Sequence, residues 1–134
     1  MSDSVVVGWI GTPEGQAAVT AAAEEARRRN GRLVVVHSAR GGRDENVDTI
    51  VEVRDALADL EARLTGEGLE VTVHDLVRGN DPAGDLIEVA DQENAALIVI
   101  GLRRRSPVGK LPMGSNAQEI LLRADCPVLA VKAP

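Results

Sequence analysis

Apolar residues along the chain fall in five short runs, which are separated by stretches with a different periodicity. The runs at residues 5–10, 33–37 and 96–100 are nearly continuous, which is typical of strands covered on both faces. Residues 69–77 begin by alternating apolar and polar positions, which predicts an edge or half-exposed strand. A last apolar run, residues 128–131, begins at Val128 and ends at Val131. The pattern therefore predicts five strands.

Two of the intervening stretches begin with residues that start helices. Thr12 and Asp81 are suited to the N-cap position, and each is followed by a proline, Pro13 or Pro82, which is suited to the first helical position. The first of these helices is predicted to end near residue 30 and the second near residue 92. Both starts follow an apolar run directly, so they predict strand–loop–helix units.

Two more helices are predicted from periodicity and capping. One has apolar residues at spacings of three and four, at Ile50, Val53, Leu57, Leu60 and Leu64. A polar loop at residues 39–48 is predicted to precede it. The last helix is predicted to begin at Ser115, because residues 115–118 have the spacing of a capping box. The Cys126-Pro127 pair breaks that helix before the last strand.

Strands that alternate with helices predict an α/β fold, a five-stranded parallel open sheet with helices on both faces. The whole chain, residues 1–134, is predicted to be a single domain. Ligands of such sheets bind beyond the carboxyl ends of the strands, where the strand order reverses. The loops that follow the first and fourth strands, residues 10–12 and 101–114, are therefore the predicted location of a site.

Composition narrows the classes of function. The formal net charge is −6, and the chain has one Trp and no Phe or Tyr, which argues against nucleic acid as a partner. The longest apolar runs have about six residues, whereas a helix needs about 20 to cross a bilayer, so no membrane association is expected. Cys126 has no cysteine partner in the chain and is interpreted as a packing residue in a reducing, cytoplasmic environment. No catalytic triad or metal-ligand cluster is apparent.

The loop after the fourth strand has the chemistry of an anion site. It begins at Gly101, which is predicted to end the strand, and it leads to a helix start at Gly114-Ser115. Unpaired N–H groups and the helix dipole at such a start favour a phosphate. Four cations lie between these glycines, namely Arg103, Arg104, Arg105 and Lys110. A strand-ending glycine with a helix N-cap, and a solvated basic loop, are the simpler alternatives.

At this point the chain resembles the universal stress protein family over its whole length. The resemblance is carried by VVVGWIGTPEG, RGNDPAGDLIEVA, CPVLAVK and the family's nucleotide motif. That motif is glycine, two residues, glycine, nine residues, glycine and then serine or threonine. Gly101, Gly114 and Ser115 match it. The resemblance implies a Rossmann-like sheet of the adenine nucleotide alpha hydrolase-like type, with a nucleotide at the loops named above.

Two positions depart from the family pattern. Arg104 stands where the motif has its second glycine, and Ile10 stands where ATP-binding members have an aspartate at the end of the first strand. The first change places a long side chain where the backbone approaches phosphate, although arginine is itself a strong phosphate donor. The second removes a partner for ribose or metal. The site is therefore predicted to be degenerate.

The resemblance gives a set of ten residues expected at the nucleotide site: Gly8, Trp9, Ile10, Ser38, Gly101, Arg103, Arg104, Gly114, Ser115 and Asn116. Trp9 has packing as its simpler interpretation. ATP is a possible ligand, and Mg²⁺ is expected only if ATP binds. The predicted function is that of a cytoplasmic, non-catalytic stress-response protein, with weak ATPase or phosphotransfer activity as the alternative. A homodimer through the exposed edge of the last strand is expected.

Overall fold

Strands and helices alternate through the part of the chain that the structure, a computed structural model, describes, which is residues 3–40, 47–79, 81–102 and 114–133. The strands are β1 (Ser4–Gly8), β2 (Arg32–Arg40), β3 (Val71–Gly79), β4 (Ala95–Leu102) and β5 (Val128–Lys132). The helices are α1 (Pro13–Arg28), α2 (Val47–Gly66), α3 (Pro82–Gln92) and α4 (Ser115–Arg123). None of these helices is long and apolar enough to cross a membrane.

All five strands are parallel and lie in the order β3-β2-β1-β4-β5. The chain first moves outward from β1 to β3 and then crosses back to β4 on the other side of β1. The strand order therefore reverses between β1 and β4, and this reversal confirms the predicted switch point. β3 and β5 are the two edges of the sheet, as the alternation in residues 69–77 predicts for the first of them.

The two faces of the sheet carry separate cores, because successive side chains of a strand point in opposite directions. On one face, Val5, Val7 and Val99 pack with the alanines of α1 and the leucines of α2. On the other face, Val6, Val34 and Ile98 pack with α3 and with Ile120 of α4. The fully buried side chains of β1 explain why residues 5–7 show no alternation.

Several predicted boundaries were wrong where strands end. Ile10 lies two residues beyond β1 and is 47% exposed, since the strand stops at Gly8 and the chain turns toward α1. Gly101 does not end β4, because it and Leu102 pair with Val131 and Lys132 of β5. Strand β2 extends to Arg40, and α2 starts at Val47, so the predicted polar loop is shorter than expected. The pairing between strands decides where each strand ends, and the hydrophobic periodicity of the sequence contains no information about that pairing.

The starts of α1 and α3 confirm their predicted caps. The Thr12 hydroxyl accepts a hydrogen bond from the backbone N–H of Gly15 at 3.2 Å, and the Asp81 carboxylate accepts one from the N–H of Gly84 at 3.3 Å. Each cap is followed by a proline at the beginning of the helix. A short polar side chain before a proline therefore sufficed to locate both starts.

Candidate functional site

A cavity of about 160 Å³ lies at the carboxyl edge of the sheet, at the switch point. It extends across the ends of β2, β1 and β4 and is closed by the first turns of α3 and α4. Its walls are formed by Gly8, Trp9, Ile10, Val36, Ser38, Pro82, Ala83, Leu86, Ile100, Gly101, Asn116, Ala117 and Ile120. Most of these residues are apolar, so the cavity presents hydrophobic walls with a few polar groups, as small-molecule sites do.

Six of the ten residues proposed from the sequence line this cavity, namely Gly8, Trp9, Ile10, Ser38, Gly101 and Asn116. Gly114 and Ser115 lie next to Asn116, at the start of α4, but do not form the wall. Arg103 and Arg104, with Arg105 and Lys110, lie outside the described residues. The structure thus gathers residues from three strands and one helix that are far apart in the sequence.

Trp9 combines the two roles that the sequence left open. It is only 5% exposed and belongs to the core beneath α1, yet it also forms part of the cavity wall. Its ring meets His37 edge-on, with 5.5 Å between the ring centroids. His37 in turn places its Nδ1 3.0 Å from Oδ1 of Asp75. The orientation of Trp9 is therefore supported by a polar pair on the neighbouring strands.

Sequence reasoning missed the pair of His37 and Asp75. The two residues are 38 positions apart, and they become neighbours because β2 and β3 pair in a register that places them side by side. No local pattern in the sequence encodes that register. The sequence placed His37 on a strand without a nearby cysteine or an apparent catalytic triad, and it gave no sign of the aspartate beside it.

Gly101 is required by packing, whatever ligand the site takes. A Cβ atom at this position would lie 2.3 Å from the carbonyl oxygen of Glu14, in the first turn of α1. That distance is far below a van der Waals contact, and the obstacle is backbone that cannot easily move. The glycine therefore lets the end of β4 approach the start of α1, and this contact shapes one side of the cavity.

The start of α3 is already supplied with negative charge. The Asp81 carboxylate caps the helix, Asp85 lies in the first turn, and Pro82 contributes no N–H group at all. Carboxylates at this end satisfy the helix dipole and the unpaired N–H groups. An anionic ligand would meet repulsion here instead of free donors.

The start of α4 is different. Its N-cap is Gly114, which has no side chain to accept a hydrogen bond, and its first turn contains no acidic residue. Ser115 is the first residue of the helix and not its cap, so the predicted capping box was wrong. Among the described residues, the first N–H groups of α4 therefore have no side-chain acceptor. Of the two helix starts at the cavity, this is the one that suits an anion.

Ser38 has a partner that sequence reasoning did not find. Its hydroxyl donates a hydrogen bond to Oδ2 of Asp85, and the two oxygens are 2.6 Å apart. Ser38 was predicted at the site, whereas Asp85 was not singled out. The signal that could have found it is its place four residues after the N-cap of α3, but only the packing of α3 against β2 brings it to Ser38.

The cavity is small for a whole nucleotide. Sites for drug-sized ligands have volumes of roughly 300–1,000 Å³, so the described walls would bury only part of a nucleotide, such as its base. The described residues also contain no group of three or more His, Cys, Asp or Glu side chains that could hold a metal ion. The arrangement can therefore bury a planar apolar ring and present N–H groups to a negatively charged substituent.

Comparison with known proteins gives one consistent result. The sequence model of the universal stress protein family matches residues 1–132. The chain is also similar to a universal stress protein of Mycolicibacterium smegmatis, with 41% identity over 128 residues, which are 96% of each chain.

Two solved structures from Archaeoglobus fulgidus are similar in fold and sequence. One universal stress protein has a TM-score of 0.81 and 34% identity, and the match covers 98% of this chain and 95% of that one. A universal stress protein in complex with dAMP has a TM-score of 0.72 and 32% identity, and the match covers 98% of each chain. The Rossmann-like sheet expected from the resemblance is thereby confirmed.

Proposed function

The chain belongs to the universal stress protein family, and we propose that it is a dimeric stress-response regulator that binds an adenine nucleotide without turning it over efficiently. One observation carries the proposal, namely the apolar cavity at the switch point, which faces the uncapped start of α4. An apolar pocket suits a base, and free helical N–H groups suit a phosphate. The nucleotide acts as a signal that changes the conformation or the partner surface of the protein.

The polarity of the cavity supports one orientation of the ligand. The base is placed among Val36, Ala83 and Leu86, which are apolar, and the phosphate lies beside Gly114 and Asn116. The opposite orientation would set the phosphate against Asp81 and Asp85, the carboxylates at the start of α3, where like charges repel. Charge therefore favours a phosphate at α4.

A relative with a bound nucleotide supports the ligand class. The Archaeoglobus fulgidus protein in complex with dAMP is 32% identical and matches 98% of this chain. We take an adenine nucleoside monophosphate as the smallest ligand for the site. ATP is the larger candidate, with Arg103 and Arg104 as the cations that the resemblance assigns to its phosphates, and Mg²⁺ enters only as the counter-ion of ATP.

Calorimetric titration of the purified chain with AMP, with Mg-ATP and with GTP tests the proposal. Saturable binding in the micromolar range, selective for adenine, is the expected result. Arg104→Gly then tests the loop: tighter ATP binding means that the arginine obstructs the phosphates, and weaker binding means that it holds them. The absence of heat and of any thermal shift at millimolar concentration of every nucleotide would refute a nucleotide function.

Ile10 offers a second test on the nucleotide side. It lies at the mouth of the cavity, where it is 47% exposed, so a polar side chain is tolerated there. Ile10→Asp is expected to strengthen magnesium-dependent ATP binding, because it adds a carboxylate next to the ribose and the metal. Unchanged binding would mean that the departure at this position does not limit affinity.

The dimer is proposed to form along β5. This strand is an edge of the sheet, and Leu129 and Ala130 are exposed on it, with Leu121 and Leu122 exposed on the preceding helix. An open apolar edge favours pairing with another chain, and a two-fold axis lets two copies cover one another.

Leu129→Lys should give monomers in sedimentation velocity, whereas Val51→Lys, at an exposed apolar position on α2, should leave the dimer intact. An unchanged dimer in Leu129→Lys would place the interface elsewhere.

A cytoplasmic location completes the proposal. The sequence contains a single cysteine, Cys126, which cannot close a disulfide within this chain, and that suits a reducing compartment. Fractionation of cells that express the tagged protein is the direct test, and recovery with the secreted or membrane fraction would contradict it.

A further inference from the structure

A second cavity, the amino-edge cavity, lies where α3 and α4 end and β4 begins. It has a volume of about 230 Å³ and is lined by Ile87, Ala90, Asp91, Asn94, Ala95, Ile98, Ala124, Asp125 and Cys126. It shares no lining residue with the cavity at the switch point. We propose that the amino-edge cavity binds a small aliphatic amine in its ammonium form, independently of the nucleotide.

The floor of the amino-edge cavity suits a short hydrocarbon chain. Ile87 and Ala90 of α3 and Ile98 of β4 are buried apolar residues, and they line the cavity from two sides. A volume of about 230 Å³ equals that of about eight water molecules, at roughly 30 Å³ each. A chain of about five carbons with one polar head group therefore fits, and its transfer from water to these walls is favourable.

The rim of the amino-edge cavity is negatively charged. Asp91 comes from the end of α3 and Asp125 from the turn after α4, and both side chains are exposed. No ion pair between described residues uses either carboxylate. Arg123, in the last turn of α4, pairs with Glu119 instead. The ends of both helices add partial negative charge, so the rim offers a cation two carboxylates without partners.

The thiol of Cys126 shows that this charge reaches the inside of the cavity. Burial raises the pKa of Cys126, and the negative charges of Asp125 and then of Asp91 raise it further. Two aspartates from different segments therefore act on one sulfur atom in the cavity wall. The same interaction that disfavours a negative sulfur atom favours a positive ligand at that place.

The donor set suits an organic ammonium ion better than a metal ion. The described residues contain no group of three or more His, Cys, Asp or Glu side chains that could hold a metal. An ammonium group has three N–H donors, and the two carboxylates and the amide oxygen of Asn94 supply three acceptors at the cavity. Asn94 is held at the end of α3 with a φ of 52°, and its backbone N–H donates to the carbonyl of Asp91 at 3.2 Å. The ligand buries its chain and keeps its charged head at the water interface, as lysine side chains do.

The first test varies the charge of the ligand at constant shape. Pentylammonium, 1-pentanol and pentanoate share one hydrocarbon chain and differ in the charge of the head group. Amide NMR spectra of the unaltered chain, recorded during titration with each, give the affinity and the location of binding. Pentylammonium is expected to cause saturable shifts confined to the lining residues, to bind about three- to tenfold more tightly than pentanol, and to lose that advantage in high salt.

Three outcomes of this titration would overturn the proposal. Equal affinities for pentylammonium and pentanol would mean that the carboxylates do not select the ligand. Saturable binding of pentanoate at the same residues would mean that the cavity does not favour a cation. The absence of saturable shifts at the lining residues with pentylammonium would mean that the cavity does not take the amine. None of these outcomes bears on nucleotide binding at the other edge of the sheet.

The second test varies the protein with a matched control. Asp91→Asn combined with Asp125→Asn should remove the preference for pentylammonium over pentanol and leave the affinity for pentanol nearly unchanged. Asp59→Asn removes a charge from the exposed face of α2 and should keep the preference. Ala124→Leu, which adds bulk to the cavity wall, should weaken the binding of both compounds. A preference that survives in the double variant, with a melting temperature that confirms folded protein, contradicts the proposal.

Discussion

Two cavities lie at opposite ends of the pair of helices α3 and α4, and they differ in charge more than in size. The cavity at the carboxyl edge has a volume of about 160 Å³ and faces the starts of the helices. The cavity at the amino edge is larger, about 230 Å³, and lies beside their ends, where Asp91, Asp125 and Cys126 line it. Both are open to a small ligand, so volume alone would favour the second.

The thiol of Cys126 reports the electrostatic character of the amino-edge cavity. Burial, followed by the negative charges of Asp125 and Asp91, raises the pKa of Cys126 above its ordinary value. The ends of helices add partial negative charge of their own. An environment that disfavours a thiolate disfavours a phosphate for the same reason, so the larger cavity is the poorer anion site.

The difference teaches that the helix ends, and not the available space, decide which cavity suits an anion. The same two helices present opposite poles to the two cavities. At the carboxyl edge, no described side chain caps the start of α4 at Gly114. At the amino edge, the cavity lies beside the ends of the helices, which carry partial negative charge, and two of its lining residues, Asp91 and Asp125, are carboxylates.

The largest expected effect on nucleotide affinity comes from introducing a carboxylate into the carboxyl-edge cavity, as the amino-edge cavity already has. Gly114→Asp adds a capping carboxylate where a Cβ meets nothing within 4 Å. It should reduce nucleotide affinity about tenfold or more, because a fixed negative charge replaces the phosphate at the helix start. Gly114→Asn caps the helix without charge and should weaken binding less. Equal losses in calorimetry for the two variants would show that competition for the N–H groups matters and charge does not.

The next prediction concerns the start of α3, which we expect to contribute to stability, whereas the start of α4 is expected to bind the nucleotide. Asp81→Ala removes the cap of α3 and should lower the free energy of unfolding by about 1 kcal/mol, measured by urea denaturation. Asp81→Asn, which keeps a capping oxygen, is the control and should lose much less. Nucleotide affinity should hardly change in either variant. A tenfold loss of affinity in Asp81→Ala would place the phosphate at α3 and reverse the comparison.

A smaller effect is expected from removing the charge of the amino-edge cavity. Asp91→Asn combined with Asp125→Asn should lower the pKa of Cys126 and raise its rate of alkylation at pH 8 by roughly two- to fivefold, since both aspartates are exposed and screened. Asp59→Asn, on the exposed face of α2, should leave the rate unchanged. The enhancement should shrink in high salt. No enhancement at any salt concentration would assign the raised pKa to burial alone, and an enhancement that persists in high salt would mean that the substitutions act through local structure.

The raised pKa of Cys126 also gives the sign of the pH dependence of stability. Because the folded chain holds the Cys126 proton more tightly than the unfolded chain, this residue contributes stability that is lost as pH rises above the ordinary thiol pKa of about 8.5. Cys126→Ala should therefore show a flatter alkaline decline in the free energy of unfolding. We expect the same variant to have the nucleotide affinity of the unaltered chain, which is the smallest effect predicted. Weaker nucleotide binding would show that a change in the amino-edge cavity alters the carboxyl-edge cavity.

The fold could be predicted from the sequence to the level of element order and sheet type. Near-continuous apolar runs gave β1, β2 and β4, and the N-caps Thr12 and Asp81 located two helix starts, because each of these signals is local. The apolar residues Leu86, Ile87, Val89 and Ala90 of α3 are all buried. Ends of strands were predicted less well, since Ile10 and Gly101 depend on which strand pairs with which.

The site was predicted in part. The family motif and the switch-point rule directed attention to Gly8, Trp9, Ile10, Ser38, Gly101 and Asn116, and tertiary structure brings these six around one cavity. The tertiary structure also shows that Gly101 packs against the backbone of Glu14, a contact that the sequence motif does not predict. Asp85 and the pair of His37 and Asp75 could not be found in the same way, because their partners are remote in sequence.

The sequence by itself determined the periodicities, the caps and the glycines, and therefore which segments form strands and helices and where an anion-binding turn is possible. Only the tertiary structure decided the order of the strands, and with it the neighbours of each side chain. That order places Ser38 beside Asp85, His37 beside Asp75, and the uncapped start of α4 at the same cavity as Trp9. The physical reason is that local signals act over a few residues, whereas a binding site is made by contacts between segments that only the packed sheet brings together.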